Sequence, residues 1–170
     1  AGAVPVISTA TDVNGKFAVD VFAADNGLVL SDRRLAKLVS ARLLTGARIP
    51  FYSAHPVKGE IPEELLLCEE AETFLKEPGL KIAVSEKKLG EGQDILYLIP
   101  RCVTVGVGCR RGVSRQLLEE KVSQALEKAG LFKEAAEGFA TIDIKREEEG
   151  LLSLAKDWGL PIRFFSGDEL

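Results

Sequence analysis

The sequence predicts an α/β protein made of layered α/β/α units with a largely parallel or mixed sheet. One observation is the stretch 103–107, where three valines alternate with small or polar residues as in a packed strand. After Ser114, which stands where a helix N-cap belongs, the apolar residues change to helical spacing. The order strand, helix, strand, helix, strand over 103–165 is typical of a parallel sheet with right-handed crossovers.

Length, composition and charge limit the functions open to this chain. Its 170 residues suffice for one domain or two small ones, and 46% apolar with 28% charged residues is typical of a globular protein. No apolar run approaches the roughly 20 residues of a membrane helix, and no signal peptide is visible. A net charge of −4 disfavours nonspecific nucleic-acid binding, and three cysteines without metal spacing fit a reducing compartment. We expect a cytoplasmic protein without membrane, nucleic-acid or metal partners.

The first predicted unit covers residues 1–100. Its expected elements are a strand at 4–7, a helix at 14–25 capped by Asp12 or Asn14, a helix from Ser31 or Asp32 to Gly46, a strand at 47–53, a helix at about 63–76, and strands at 80–85 and 95–99. Because Pro50 lacks an N–H for a sheet ladder, the strand at 47–53 is predicted at a sheet edge. The acidic residues of the helix at 63–76 are interpreted as a solvated face.

The second predicted unit covers residues 101–170. Its expected elements are the strand at 103–107, a helix at 114–129 ended by Gly130, a strand at 138–145, a helix at 147–158 and a strand at 162–165. The carboxyl ends of parallel strands meet at one sheet edge, where ligands gather in such folds. The turn after residue 107 and the segment from Asp143 are therefore expected to lie together.

The turn between the first strand and helix of the second unit is the main candidate binding site. Free backbone N–H groups at a helix start favour an anion, and adjacent arginines pair with carboxylates or phosphates. The residues assigned to this site are Gly106, Gly108, Cys109, Arg110, Arg111 and Gly112. The alternative is that the glycines permit close packing while the arginines face water.

Two other interpretations of this turn are weaker. The spacing departs from the dinucleotide fingerprint, because Gly112 comes one place too late and the acidic residue expected downstream is missing. Cys109 is a candidate nucleophile at a helix start, with His55 as the chain's single histidine. A small residue filling a tight turn is the alternative for Cys109.

A second polar cluster follows the predicted strand at 4–7 and includes Thr11, Asp12 and Lys16. Asp12 could act as a general base, with Lys16 as an anion partner. The alternative is an ordinary side-chain cap for the following helix. The sequence leaves both interpretations open.

Three segments in order resemble a known family. Residues 5–20 resemble the central region of the cobalamin-biosynthesis protein CbiG, and residues 105–112 resemble the glycine–cysteine–arginine signature of its C-terminal domain, which is shared with CobE. Residues 140–145 followed by 150–152 also match the C-terminal pattern. The resemblance covers most of the chain, more loosely between about 50 and 100. Family members usually carry a further N-terminal domain and further C-terminal elements.

The resemblance implies a cobalt-precorrin-5A hydrolase, which opens a δ-lactone on the macrocycle and releases acetaldehyde. The implied substrate is a cobalt-corrinoid intermediate rich in carboxylates, which Arg110 and Arg111 could bind; cobalt would arrive with it, so no other cofactor is expected. From residue type and position, Asp12 or Asp143 is the hypothetical base, and the N–H groups of 108–112 are the hypothetical oxyanion donors. The alternative function is a CobE-like module that binds the intermediate without catalysis. Assembly of identical chains is left open.

Overall fold

The computed structural model describes residues 17–90 and 94–169. The chain divides into two compact units: unit 1 is Ala1–Ser85 with Leu89–Leu98, and unit 2 is Glu86–Lys88 with Ile99–Leu170. The sequence-based division after residue 100 stays a prediction. The predicted strand at 4–7 lies outside the described residues.

The described part of unit 1 alternates helices and strands. Its elements are α1 (Val19–Asp25), β1 (Leu28–Leu30), α2 (Arg33–Leu44), β2 (Ile49–Ser53), β3 (Leu65–Leu67), α3 (Ala71–Lys76), β4 (Lys81–Val84) and β5 (Ile95–Pro100). The sheet order is β1-β5-β4-β2-β3, and β5, β4, β2 and β3 run parallel to their neighbours. This confirms the predicted α/β class with a largely parallel sheet.

Unit 1 places helices on both faces of its sheet. Val19 of α1 and Val39 of α2 are buried in one core with Phe51 of β2. Tyr52, the next residue of β2, points to the opposite face and packs against Phe74 of α3, with ring centroids 5.7 Å apart. Unit 1 therefore has three layers, as predicted.

Two sequence-based predictions for the middle of unit 1 are wrong. The helix predicted at 63–76 is the strand β3 followed by the short helix α3, because residues 65–67 pair with β2. The strand containing Pro50 is internal, between β3 and β4. Proline is tolerated there because pairing of β2 with β4 begins only at Phe51.

The helix predicted at 14–25 begins later than expected. Residue Ala18 occupies the N-cap position of α1, and the predicted caps Asp12 and Asn14 lie outside the described residues. Phe17, just before the cap, packs edge-on against Phe22 at 5.4 Å between ring centroids. This is the arrangement of a hydrophobic staple, which fixes where the chain enters the helix. The predicted cap of the second helix is confirmed, since Asp32 accepts hydrogen bonds from two N–H groups of α2.

Unit 2 has the strand–helix alternation that the sequence predicts. Its elements are β6 (Val103–Gly106), α4 (Arg115–Lys128), β7 (Ala136–Ile142), α5 (Glu149–Trp158) and β8 (Ile162–Phe165), with 3₁₀ turns at Lys133–Ala135 and Asp143–Lys145. The three strands form a parallel sheet in the order β6-β7-β8. Buried residues of α4 and α5 pack together on Phe139, so both crossover helices cover one face.

The predicted strand at 138–145 ends earlier than expected. Pairing of β7 with β8 stops at Ile142, opposite Phe165. Asp143 then begins a 3₁₀ turn, closed by the Arg146 N–H donating to the Asp143 carbonyl at 3.1 Å. Asp143 therefore lies at the carboxyl end of a strand rather than within it.

Candidate functional site

An open cleft of about 730 Å³ lies in unit 2 at the carboxyl ends of β6 and β7. Residues 111–115 form one side, and residues 143–150, except Lys145, form the other with Ser153. Because β6 and β7 are parallel neighbours, the loop after each strand emerges at the same sheet edge. Both loops lead directly into helices, so the cleft lies at the N-termini of α4 and α5.

The β6–α4 loop is fixed at both of its ends. At its start the Val107 N–H donates to the Ala140 carbonyl at 2.8 Å, and the Thr141 hydroxyl donates to the Val107 carbonyl at 2.7 Å. At its end the Ser114 hydroxyl caps α4 by accepting the Leu117 N–H at 3.3 Å, which confirms the predicted cap. Between these two points the chain turns back at Gly112, whose φ of +72° is in the left-handed region that favours glycine.

Glu148 connects the two sides of the cleft. Its Oε2 accepts the Gly112 N–H at 3.0 Å, and its Oε1 lies 3.3 Å from the Lys145 Nζ. The hydrogen bond from Gly112 is the main cause that lowers the pKa of Glu148 below its ordinary value, with the charges of Lys145 and Arg111 adding to it. The side chains of Lys145 and Glu148 are only 14% and 10% exposed. The ionised Glu148 is therefore committed to contacts within the protein.

Gly150 brings the first turn of α5 against the β6–α4 loop. A Cβ atom placed on Gly150 would lie 2.1 Å from the Val113 carbonyl oxygen and 3.2 Å from the Arg115 nitrogen. Both of these atoms belong to the backbone and cannot rotate away. Only glycine permits this close approach of α5 to the β6–α4 loop.

Most cations beside the cleft already have partners. Arg115 forms salt bridges with Glu119 at 2.6 Å and Asp157 at 3.2 Å, and Arg146 stacks on Phe164 with its Cζ 4.7 Å from the ring centroid. Lys145 is paired with Glu148, as described above. Exposed Arg111 forms no salt bridge or hydrogen bond through its side chain with any other residue that the structure describes. Its guanidinium is the one among these cations that can receive a ligand carboxylate without breaking a contact.

The structure brings together three of the residues that the sequence predicted for the site. Arg111 and Gly112 line one side of the cleft, and Asp143 lines the other. The predicted meeting of the Gly-rich turn with Asp143 is thus observed, while the roles of these residues stay predictions. The Gly112 N–H donates to Glu148, so it is not a free oxyanion donor.

The remaining predicted residues of this loop lie outside the cleft lining. Gly106 and Gly108 are exposed, and a Cβ atom on either would meet nothing within 4 Å. Packing among the described residues therefore does not require glycine at these two positions. Cys109 is half-buried against the core of unit 2, and Arg110 is exposed. Thr11, Asp12 and Lys16 lie outside the described residues.

The sequence did not reveal the roles of Glu148, Lys145 and Gly150. An acidic residue at a helix start is so common that Glu148 gave no signal of a contact with a distant loop. Gly150 in the first turn of a predicted helix was a weak signal of close backbone approach. Among the described residues of the cleft, no three side chains are placed to bind a metal ion together.

Two family models match the chain in succession. The first, described as the cobalamin biosynthesis central region, matches residues 17–100, and the second, described as the cobalamin synthesis G C-terminus, matches residues 103–170. The chain belongs to the CbiG family. The cleft lies wholly within the CbiG C-terminal match.

Curated relatives of this CbiG chain support the assignment. It is 27% identical over 98% of its length to a cobalt-precorrin-5A hydrolase of Priestia megaterium, covering 48% of that protein. It is 28% identical over 99% of its length to a cobalt-precorrin-5A hydrolase of Salmonella typhimurium strain LT2, covering 50% of it. The chain thus spans about half the length of the curated relatives it matches.

A solved structure of a cobalamin biosynthesis protein G homologue from Sulfolobus solfataricus also matches this CbiG chain. The identity is 18%, the TM-score is 0.37, and the match covers 91% of this chain and 44% of that one. No helix within residues 17–90 and 94–169 is long and apolar enough to cross a membrane.

Proposed function

We propose that this chain carries a catalytic cleft of a cobalt-precorrin-5A hydrolase. The reaction would open the δ-lactone of a cobalt-corrinoid intermediate and release acetaldehyde. The observation that carries the proposal is a single cleft that presents the carboxylate of Asp143 and the guanidinium of Arg111, which has no hydrogen-bonded partner among the described residues. Relatives named cobalt-precorrin-5A hydrolase match nearly the whole chain, and the family resemblance of the sequence implies the reaction.

Arg111 is proposed to bind a carboxylate of the substrate. A guanidinium forms two parallel hydrogen bonds with a carboxylate, which gives both affinity and orientation. Its neighbour Arg110 is exposed in the same loop and is proposed to bind a second carboxylate of the macrocycle. Cobalt would be part of the substrate and would need no ligand from the protein.

Asp143 is proposed to act as the general base. Water adds to the lactone carbonyl carbon, its proton passes to Asp143, and the ring C–O bond breaks to give a carboxylic acid and an alcohol. Asp143 gives its proton to the departing ring oxygen and, ionised again, accepts the proton of the resulting alcohol. The adjacent C–C bond then breaks, which releases acetaldehyde and leaves an electron pair on the macrocycle that takes up a proton from Asp143 or water. Glu148 is poorly suited to this role because Gly112 and Lys145 already occupy its oxygens.

The N-terminus of α4 is proposed to stabilise the oxyanion formed when water adds. Its first N–H groups have no partners within the helix, and the segment from Ser114 to Arg115 lines the cleft. Asp12 is proposed as an alternative base, with Thr11 and Lys16 as substrate contacts.

The test is acetaldehyde release when the chain is mixed anaerobically with cobalt-precorrin-5A. We expect release by the wild type, and we expect Arg111→Ala to raise KM about 10- to 100-fold, since a charged hydrogen-bonded contact contributes about 1.5–3 kcal/mol. Arg33→Ala is the matched control, because Arg33 is exposed at the start of α2. Substrate binding without acetaldehyde release would contradict catalysis and favour the CobE-like binding module.

A further inference from the structure

Glu148 occupies an unusual position for an acidic residue at a helix start. It is the N-cap residue of α5, yet its side chain accepts no hydrogen bond from the first turn of that helix. An acidic N-cap ordinarily accepts an N–H two or three residues later. Here the side chain is instead buried, and it reaches out of its own helix to two other segments.

The two carboxylate oxygens of Glu148 contact different segments of the chain. Oε2 accepts from Gly112 in the β6–α4 loop, and Oε1 pairs with Lys145 in the 3₁₀ turn after β7. Gly112 directly follows Arg111, and Lys145 lies in the same three-residue turn as Asp143. The first contact therefore holds the backbone next to Arg111, and the second ties Glu148 to the turn that contains Asp143.

The surroundings of Glu148 are arranged for an ionised carboxylate. The Gly112 N–H, the Lys145 ammonium and the charge of Arg111 favour its charged form and lower its pKa. Burial of the carboxylate acts in the opposite direction and raises its pKa, and the acidic residues that line the same cleft are Asp143, Glu147 and Glu149. Because the favourable contacts dominate, Glu148 keeps both oxygens as acceptors at neutral pH.

We propose that Glu148 is a positioning residue, whose two carboxylate oxygens bridge the β6–α4 loop and the turn after β7 and so fix Arg111 relative to Asp143. This inference rests on the proposed function, since the fixed geometry matters only if both residues act on one substrate. Catalytic geometry is sensitive to such supports, because a misplacement of about 1 Å can cost about a hundredfold in rate.

Glu148→Gln is the most informative variant, because it keeps the size of the side chain and removes its charge. The amide has one acceptor oxygen and one donor nitrogen. It can accept from either Gly112 or Lys145, and it must then face the other donor with its own NH₂ group. Lys145→Met removes only the second contact and keeps the length of that side chain.

The bridge is tested first without substrate, by following the Gly112 amide resonance of ¹⁵N-labelled protein as the pH is lowered from 7. We expect this resonance to titrate with Glu148 in the wild type and to lose that titration in Glu148→Gln. Glu127→Gln is the matched control, because Glu127 is exposed on α4 and far from the cleft lining. A Gly112 amide chemical shift that does not change with pH in the wild type would show that the bridge does not exist.

The effect on catalysis is tested by acetaldehyde release from cobalt-precorrin-5A. We expect Glu148→Gln to lower kcat about 10- to 100-fold when it is assayed well below its own thermal unfolding midpoint, and Glu127→Gln to behave as the wild type. Adding Lys145→Met to Glu148→Gln should cost little more, because both changes break one bridge. Wild-type turnover by Glu148→Gln would overturn the positioning role. A wild type without release would instead overturn the proposed function, and the Gly112 titration would still decide whether the bridge exists.

Discussion

Replacing Gly150 with alanine tests the close approach of α5 to the β6–α4 loop. The added Cβ atom would lie 2.1 Å from the Val113 carbonyl oxygen, which is 1.3 Å short of the 3.4 Å at which ordinary contact begins. Two further backbone atoms, in Ser114 and Arg115, would lie at 3.2 Å. Since none of these atoms belongs to a flexible side chain, the loop or the helix must move.

The expected magnitude follows from two opposing effects. Overpacking costs about 1–3 kcal/mol, whereas alanine gains at most about 1 kcal/mol over glycine in helix propensity. We therefore expect Gly150→Ala to lower the free energy of unfolding by about 1–2 kcal/mol, or the midpoint of thermal unfolding by about 2–8 °C. A shift of the loop would also lengthen the 3.0 Å contact between Gly112 and Glu148.

Urea unfolding followed by tryptophan fluorescence reports on unit 2, because the single tryptophan, Trp158, lies in α5 of that unit. Gly167→Ala is the matched control: its Cβ would meet nothing within 4 Å and its φ is not left-handed. We expect the control to change the free energy of unfolding by less than about 0.5 kcal/mol. A Gly150→Ala protein as stable as the control, with the Gly112 amide resonance unchanged, would refute the close approach.

Two further predictions concern pH and the glycines outside the cleft lining. Contacts with Gly112, Trp158 and Ser166 lower the pKa values of Glu148, Glu119 and Glu169 respectively. A carboxyl group whose pKa is lowered by folding stabilises the folded protein at pH values above its unfolded-state pKa. This stabilisation is lost as the pH falls through the folded-state pKa, so the urea midpoint should fall in acid. The fall should be less steep in Glu148→Gln than in Glu127→Gln, because the first variant has already lost the Glu148 carboxylate. Gly108→Ala should leave the urea midpoint unchanged, because the added Cβ would meet nothing within 4 Å. It should slow acetaldehyde release, because the substrate is expected to approach this exposed backbone closely. A normal rate would show that Gly108 is not part of the binding site.

Much of unit 2 was predictable because local signals agree with its tertiary structure. The alternating valines of β6, the Ser114 cap and the left-handed Gly130 after α4 each determine an element boundary by themselves. The meeting of Gly112 with Asp143 followed from topology, since parallel neighbouring strands end at one sheet edge.

The errors arose where tertiary contacts override local preference. Residues 65–67 are helix-forming leucines, but they form a strand because their backbone pairs with β2. Pro50 predicted an edge position for β2, but β2 is internal because its hydrogen-bonded pairing with β4 starts one residue later, at Phe51. Glu148 could not be predicted as a bridge, because its partner Gly112 is 36 positions away in the sequence.

The role of Asp143 as the base is tested most directly by the single-turnover rate of acetaldehyde release, with protein in excess over cobalt-precorrin-5A. If Asp143 is the base in the cleft, Asp143→Asn should lower this rate constant about 10²- to 10⁴-fold while substrate still binds. The matched control Asp168→Asn, at an exposed residue of unit 2, should react at the wild-type rate. A wild-type rate for Asp143→Asn, together with loss of the reaction in Asp12→Asn, would contradict the account and assign the base to Asp12.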